Sequence, residues 1–527
     1  MKYRNIVLVT TKVAESIVRD VVRGIKDFNI KLVVLNAPIA ALINTRYIAR
    51  ELKRRIKEVL DADIVVVPGL SRGSARVIED AIGKPVIKGT KYAGDIPEFL
   101  KLLKNGTEFS PVTPADDIIL EHLRHTYSER FNEYLRRAEE VFKVSNLSFY
   151  AKPPPLNLFY EVLVTRITND ESIRSIVGKV VKYGYQGIVL GCEAGGCKLS
   201  ALLSIARKVR DLAPGIVIGI DMECREELLK DVINYVDMLF NVTSADVEKV
   251  SHLINDEGVV LTVKPVRSAG RREVVGALEK GYQELLNMGI DKVIINPALL
   301  PPLLGLYESL ITYYEVREKF SKAPLLMDVS NVYELIDVDT HGVIALLEAL
   351  AFELGVSSIL ITEESRKAVG ALKEASISRE MLYRAFIKKS PPIDIDVDML
   401  YIKEKKYRNV DPPAIRDGRH VVLVSRRIDP ILDPKYYVKV YVDHASKMLI
   451  VDVFERGSDN LVKRFVGSDA LSLGRAVVRS VDITKEHALY LGYELSRAET
   501  ALMLGKSFIQ DAPLITASYN ERDENSS

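Results

Sequence analysis

The chain has 527 residues and a formal net charge of +1, too long for one hydrophobic core and too evenly charged to favour nucleic acid or an anionic membrane as a partner. Hydrophobic residues make up 47% and charged residues 28%, the balance of a globular protein, and three domains are expected. No apolar run is long enough to span a bilayer, and the opening MKYRNIVLVTTKVAES lacks a signal peptide's apolar core and cleavage site, so a cytoplasmic protein is expected.

The first segment, residues 1–150, alternates short apolar runs (NIVLVT, KLVVLN, DIVVVPG, KPVIKG) with helical patterns such as TRYIARELKRRIKEVL. That alternation predicts a parallel sheet covered by helices, a flavodoxin- or Rossmann-like domain. The turn PGLSRGSA, residues 68–75, leaves a strand end and enters a helix, where doubly wound sheets bind ligands. It matches neither a G-x-G-x-x-G fingerprint nor a P-loop, and a structural turn is the better reading than an anion site. A charged stretch over about 115–143 predicts a helical connector.

KPPPLN, residues 152–157, marks a boundary. Eight apolar runs follow: FYEVLVT, QGIVLG, GIVIGID, VDMLFN, GVVLTVK, DKVIIN, PLLMD and SSILIT. Their centres are roughly 20 to 35 residues apart, with a helical pattern between each pair. Eight strands each followed by a helix predict a (β/α)8 barrel over residues 151–390. An open doubly wound sheet is the competing topology, and the even repeat favours the barrel. From SPPIDIDVD onward, residues 391–527 mix strands (HVVLVS, YYVKVYVDH, KMLIVDVFE) with a long helical end, predicting a small α+β domain with a disordered polar tail.

Barrel chemistry sits at the C-terminal ends of the strands. In order, those ends offer Arg166, Asn169 and Asp170; Glu193; Asp221; Asn241; Lys264 and Arg267; Asn296; Asp328, Ser330 and Asn331; and Glu363, Ser365 and Arg366. The seventh, PLLMDVSNVYEL, stops a buried run at an acid and then presents a neutral amide, with no nearby His or Cys to form a triad. An amide donates two hydrogen bonds and accepts two, so it reads another amide-like edge. Asp221, Asn241, Asn296 and Asn331 together suit a flat polar heterocycle such as a pterin, and Lys264, Arg267 and Arg366 suit a phosphate or carboxylate. Taken singly, each Asn or Asp reads better as a helix N-cap; the set reads better as a site.

The 3 Cys exclude a disulfide framework. Cys192, Cys197 and Cys224 fall at the ends of neighbouring strands, where zinc, a bridge or simple burial all fit; burial is the plainest expectation and no metal site is assigned. His487 and His341 read as a packed histidine and a residue near a helix start. Trp is absent and Gln occurs only at Gln186, Gln283 and Gln510, a thermophile habit.

GIDMEC on the third strand, LFNVTS on the fourth, INPALLPP on the sixth and VSNVYEL on the seventh resemble, in order and spacing, the motifs of the pterin-binding family, which holds dihydropteroate synthases and pterin-dependent methyltransferases. With its flanking domains and the ending HALYLGYELSRAETALMLGKSFIQD, the chain most resembles the archaeal dihydropteroate synthase-like proteins over nearly its whole length. It departs from the folate-pathway synthases at four places. DVSNVYE replaces a Gly-x-Ser-Arg-Lys motif, ITEESR replaces Arg-x-His, LGCEAG replaces Asp-Ile-Gly, and Asn296 replaces an Asp.

The resemblance implies a pterin ligand held by Asp221, Asn241, Asn296 and Asn331. It implies condensation of a dihydropterin pyrophosphate with an arylamine, as in tetrahydromethanopterin or folate-type synthesis. Lys264 and Arg366 would stabilise the departing pyrophosphate, with magnesium accompanying it. The alternatives are methyl transfer from a methylpterin, with a corrinoid supplied by a partner, and pterin binding without catalysis. A homodimer, or a protein partner held through the outer domains, is also expected.

Overall fold

A computed structural model describes residues 3–38, 40, 43–193, 197–222, 226–262, 270–395, 397–403, 424 and 431–514, with backbone alone at 117 and 120–126. The chain divides into two compact units, Met1–Glu404 and Lys405–Ser527.

The first unit opens with four parallel strands, β1 (Asn5–Thr11), β2 (Asn29–Leu35), β3 (Ile64–Val67) and β4 (Val86–Lys88), in the order β2-β1-β3-β4. Alternation along these strands feeds two cores. Val7, Val9, Val33 and Val65 pack with Ile48, Leu52 and Ile78 on one face. Ile6, Leu8, Ile64 and Val66 pack with Phe99 and Leu103 on the other. The PGLSRGSA turn is closed by its own contacts. The buried Lys88 ammonium donates to the Ser71 carbonyl at 2.8 Å, and Ser71 Oγ donates to the Pro68 carbonyl at 2.7 Å. A Cβ at Gly69 would lie 2.7 Å from the Gly89 carbonyl oxygen, so two backbones pass there with no side chain between them.

The helical connector ends sooner than its charge pattern predicts. The helix covers Asp116–Arg137, and a hairpin follows, β5 (Glu140–Val144) and β6 (Leu147–Tyr150). Val144 and Phe149 of this hairpin are buried with Phe159, Met238 and Phe240, aromatic and apolar residues that favour strand over helix.

Eight parallel strands then form the barrel: β7 (Asn157–Leu163), β8 (Gly187–Gly191), β9 (Val217–Asp221), β10 (Met238–Val242), β11 (Gly258–Thr262), β12 (Val293–Asn296), β13 (Leu326–Asp328) and β14 (Ser358–Ile361). Their order is β12-β11-β10-β9-β8-β7-β14-β13, and a parallel bridge between Ile295 and Leu325 brings the two ends together. The sheet is therefore a (β/α)8 barrel and not an open doubly wound sheet. Phe159, Val189, Val217, Phe240, Val260, Ile294, Leu326 and Leu360 fill its interior, and the β5–β6 hairpin closes the floor: a Cβ on Gly258 would meet Val144 Cγ2 at 2.8 Å. Strand alternation then puts Glu161, Gly191, Asp221, Thr262, Asn296 and Asp328 inward, one layer higher at the C-terminal ends.

The helix Ala371–Lys388 joins barrel and first sheet. Lys388 is fully buried, with Nζ 2.9 Å from Asp95 Oδ2, 3.8 Å from Asp116 Oδ1 and 5.0 Å from the centre of the Tyr92 ring. A Cβ at Gly94 would lie 1.4 Å from the Lys388 carbonyl oxygen, so only glycine fits.

In the second unit an antiparallel sheet, β15 (Tyr436–Asp443), β16 (Met448–Glu455) and β17 (Leu461–Gly467), packs against helices Ala470–Ser480 and Lys485–Leu504 through Val440, Val451, Leu473, Leu491 and Leu495. His487 is buried, with Nδ1 3.3 Å from Asp433 Oδ2; that carboxylate also accepts from the Lys435, Tyr436 and Thr484 amides, which hold its pKa far down. The HVVLVS run and the polar tail lie outside the described residues, apart from Val424. Among the described residues no helix is long and apolar enough to cross a membrane.

Candidate functional site at the barrel mouth

The inward top layer is polar because several strands end at the next inward position past the apolar filling, as Ile294 is followed by Asn296 and Leu326 by Asp328. Asp221 closes β9. Asn241 follows on β10 at φ 57°, beside a register shift between Leu239 and Val242. An asparagine tolerates this left-handed backbone better than most residues, and here it turns the amide toward Asp221, whose Oδ2 accepts from Asn241 Nδ2. Asp221 also shares a hydrogen bond with Glu161, which reaches it from β7. Burial raises the pKa of both carboxyls. Glu161 is raised well above its ordinary value by burial and then by the charges of Asp221 and Asp328; at Asp221 burial raises the pKa and the bonds from Asn241 and Glu161 offset part of that rise. A hydrogen bond between the two carboxyls needs one proton on the pair.

On the seventh strand Asp328 Oδ1 accepts from the Ser330 amide at 3.0 Å and from Ser330 Oγ. Burial pushes its pKa up to about 6. The short helical turn Ser330–Tyr333 presents Asn331, half-buried, with no side-chain hydrogen bond to another described residue.

The remainder of the VSNVYEL run serves the neighbouring strand. The Thr362 amide donates to the Tyr333 hydroxyl at 2.8 Å, and that hydroxyl donates to the Thr362 carbonyl at 2.7 Å. The Glu334 carboxylate accepts from the Glu364 amide at 2.9 Å and the Ser365 amide at 3.2 Å. One turn thus holds the loop after β14. Glu334→Ala is expected to cost about 1–3 kcal/mol by stripping those amides of their acceptor. Hydrogen exchange at Glu364 and Ser365 should quicken in this variant; unchanged exchange would contradict the anchoring.

Asn296 is buried on β12, and its Oδ1 accepts from the Ala298 amide at 3.0 Å and lies 3.0 Å from the Tyr313 hydroxyl. That oxygen is engaged in the barrel wall, so Asn296 fixes the β12 loop as well as closing the polar layer. Arg366 is exposed in the turn after β14. Arg166 pairs with Glu364 at 3.4 Å, and Glu193 Oε1 accepts from Thr165 Oγ1 at 2.9 Å. Glu363 is occupied in structure, accepting from the Gly370 amide at 2.9 Å and pairing with Lys179 at 3.0 Å. Lys264 and Arg267 lie outside the described residues.

Cys192 and Cys197 form a disulfide just beyond β8, so one local bridge stands where the cysteine count argued against a framework; Cys224 lies outside the described residues. Among the described residues no group of three or more His, Cys, Asp or Glu is arranged to hold a metal ion.

Glu161 is the mouth residue that the sequence reading missed. Its signal was present: one acid inside the apolar strand NLFYEVL, at the same parity as the inward Phe159.

Comparison with known proteins matches the two outer parts of the chain. Residues 432–511 match the family PterinBD-DUF4346, and residues 4–91 match a family of unknown function, DUF6513. The uncharacterized protein MJ0107 of Methanocaldococcus jannaschii is 27% identical over 538 residues, covering 97% of this chain and 98% of the relative. Among solved structures, 7,8-dihydropteroate synthase from Vibrio fischeri aligns with 48% of this chain and 100% of its own at 17% identity and a TM-score of 0.38. A truncated 3-deoxy-D-arabino-heptulosonate 7-phosphate synthase from Thermotoga maritima aligns with 48% of this chain and 91% of its own at 12% identity and a TM-score of 0.34. At that distance the likeness carries no functional inference.

Proposed function

We propose that the barrel binds a reduced pterin at its C-terminal mouth and acts on it as a transferase. The observation that carries this reading is the fixed acceptor Asp221, held between Glu161 and Asn241 with Asp328 and Asn331 on the same rim. A pterin's 2-amino group and ring N–H form a donor edge, and a pair of buried ionisable acceptors is a strong complement to it. The chemistry that fits the sequence motifs is condensation of a dihydropterin pyrophosphate with an arylamine. Lys264 and Arg366 would steady the departing pyrophosphate, with Arg267 as a further phosphate contact and magnesium as the pyrophosphate's own counter-ion.

A second reading is methyl transfer from a methylpterin. It is favoured by the acids gathered at the mouth, where Asp221, Asp328 and Glu364 all act on Glu161. Such a mouth suits a neutral or cationic ring better than an anionic leaving group.

The test is a fluorescence titration with 7,8-dihydropterin. Asn241→Ala is expected to weaken binding by about 1–3 kcal/mol, the worth of a lost hydrogen bond to a polar ring buried on binding. Equal affinity of the native protein and the variant would sink the assignment. Product assays with a dihydropterin pyrophosphate and an arylamine, or with a methylpterin, then separate the two transferase readings from binding alone.

A further inference from the structure

Three consecutive strands carry inward residues at the mouth that fit one another. Glu161 stands on β7, Gly191 ends β8 and Asp221 ends β9, with Gly191 paired directly to Asp221. A Cβ at Gly191 would lie 2.7 Å from Glu161 Oε1 and 3.2 Å from Leu163 Cδ2. The middle strand is bare at that level, and the Glu161 carboxyl occupies the space a side chain would take. It crosses β8 there and meets Asp221 on the far side. From the next strand Asn241 Nδ2 bonds the same carboxylate, so Asp221 is gripped from both flanks.

Two carboxyls at such an approach are stable only if they share a proton, because like charges in contact cannot both ionise. Among the described residues the charged groups that act on Glu161 are Asp221, Asp328 and Glu364, all acidic; Asp221 feels Asn241 and Glu161. No cation among them relieves the repulsion, and Gly191 contributes none from β8.

We infer that Glu161 is a positioning residue of this site: reaching across Gly191, it donates a proton to Asp221 and so orients Asp221 as the acceptor that faces the bound ring. The inference rests on the pterin-binding reading of the mouth. It assigns a role to Gly191 as well, since the absence of its side chain is what lets the two carboxyls meet.

The geometry distinguishes the substitutions. Gln in place of Glu161 keeps an N–H donor of nearly the same length, whereas Ala removes the donor and leaves Asp221 held from one side only. At neutral pH, Glu161→Gln is expected to bind 7,8-dihydropterin within about threefold of the native protein. Glu161→Ala and Gly191→Ala are each expected to bind it about tenfold or more weakly. Glu161→Gln losing as much as Glu161→Ala, or Glu161→Ala matching the native protein, would overturn the positioning role.

An infrared difference spectrum gives a readout independent of any ligand. At neutral pH the native protein minus Glu161→Gln should show a protonated-carboxyl band. Its absence overturns the inference whatever the protein binds. If the band is present and the native protein fails to bind dihydropterin, the shared proton stands while the pterin reading falls.

Discussion

Replacing Lys388 with Met is expected to destabilise the first unit by about 3–5 kcal/mol, the scale measured when one partner of a buried charge cluster is removed. Lys388 is 0% exposed and Asp95 and Asp116 are 2% exposed, so neither carboxyl can recover its lost partner through water. The two acids lie at the start and end of a segment of the first domain, while the lysine ends the last barrel helix; the cluster therefore ties the two together. The effect has a pH signature. Burial holds the Asp95 pKa up at about 6 against its ordinary 3.8, despite the pull of Lys388. A carboxyl raised in the folded state costs stability as pH rises through that interval, because the unfolded chain has released its proton and the folded chain has not. Without Lys388 the folded value climbs further, so the loss should be greater at pH 8 than at about pH 5. Urea unfolding at both pH values measures it. A variant with the native midpoint at pH 8 would refute the cluster's role. Gly94→Ala probes the same joint without touching a charge, since its Cβ would collide with the Lys388 carbonyl oxygen.

Below about pH 6, affinity for dihydropterin is expected to fall, approaching tenfold for each pH unit. The group responsible is Asp328, whose carboxyl burial lifts to about 6 while the Ser330 and Asn331 bonds pull it down. An ionised carboxylate accepts a ring N–H more strongly than a protonated carboxyl does, so binding is strongest above the folded pKa and weakens as pH falls through it. Asp328→Asn should bind more weakly at pH 7 and lose most of this dependence. Titrations of both proteins between about pH 5 and pH 8 decide the matter. A native affinity that stays flat over this range would exclude Asp328 from recognition.

The sequence by itself determined the barrel. Eight evenly spaced apolar runs, each followed by a helical pattern, leave few ways to bury their surfaces, and all eight are strands of one sheet. It also placed Asp221, Asn241, Asn296 and Asn331 at strand ends, because polar residues that stop an apolar run mark where the filled interior gives way to the mouth. What neighbours each strand end meets was decided by tertiary structure alone. Asn296 and Asn331 read alike in sequence, yet the Asn296 oxygen is taken up by Ala298 and Tyr313 in the wall while Asn331 is presented at the rim. Glu161 was hidden for the complementary reason. A single acid within a strand signals nothing until the barrel closes, sets the bare Gly191 beside it and brings Asp221 within reach. Lys388, Asp95 and Asp116 are likewise ordinary surface residues by pattern. Periodicity reports which side of an element is apolar; it carries no information about which charges from distant segments are buried together, and that pairing arises only when the first sheet and the last barrel helix pack.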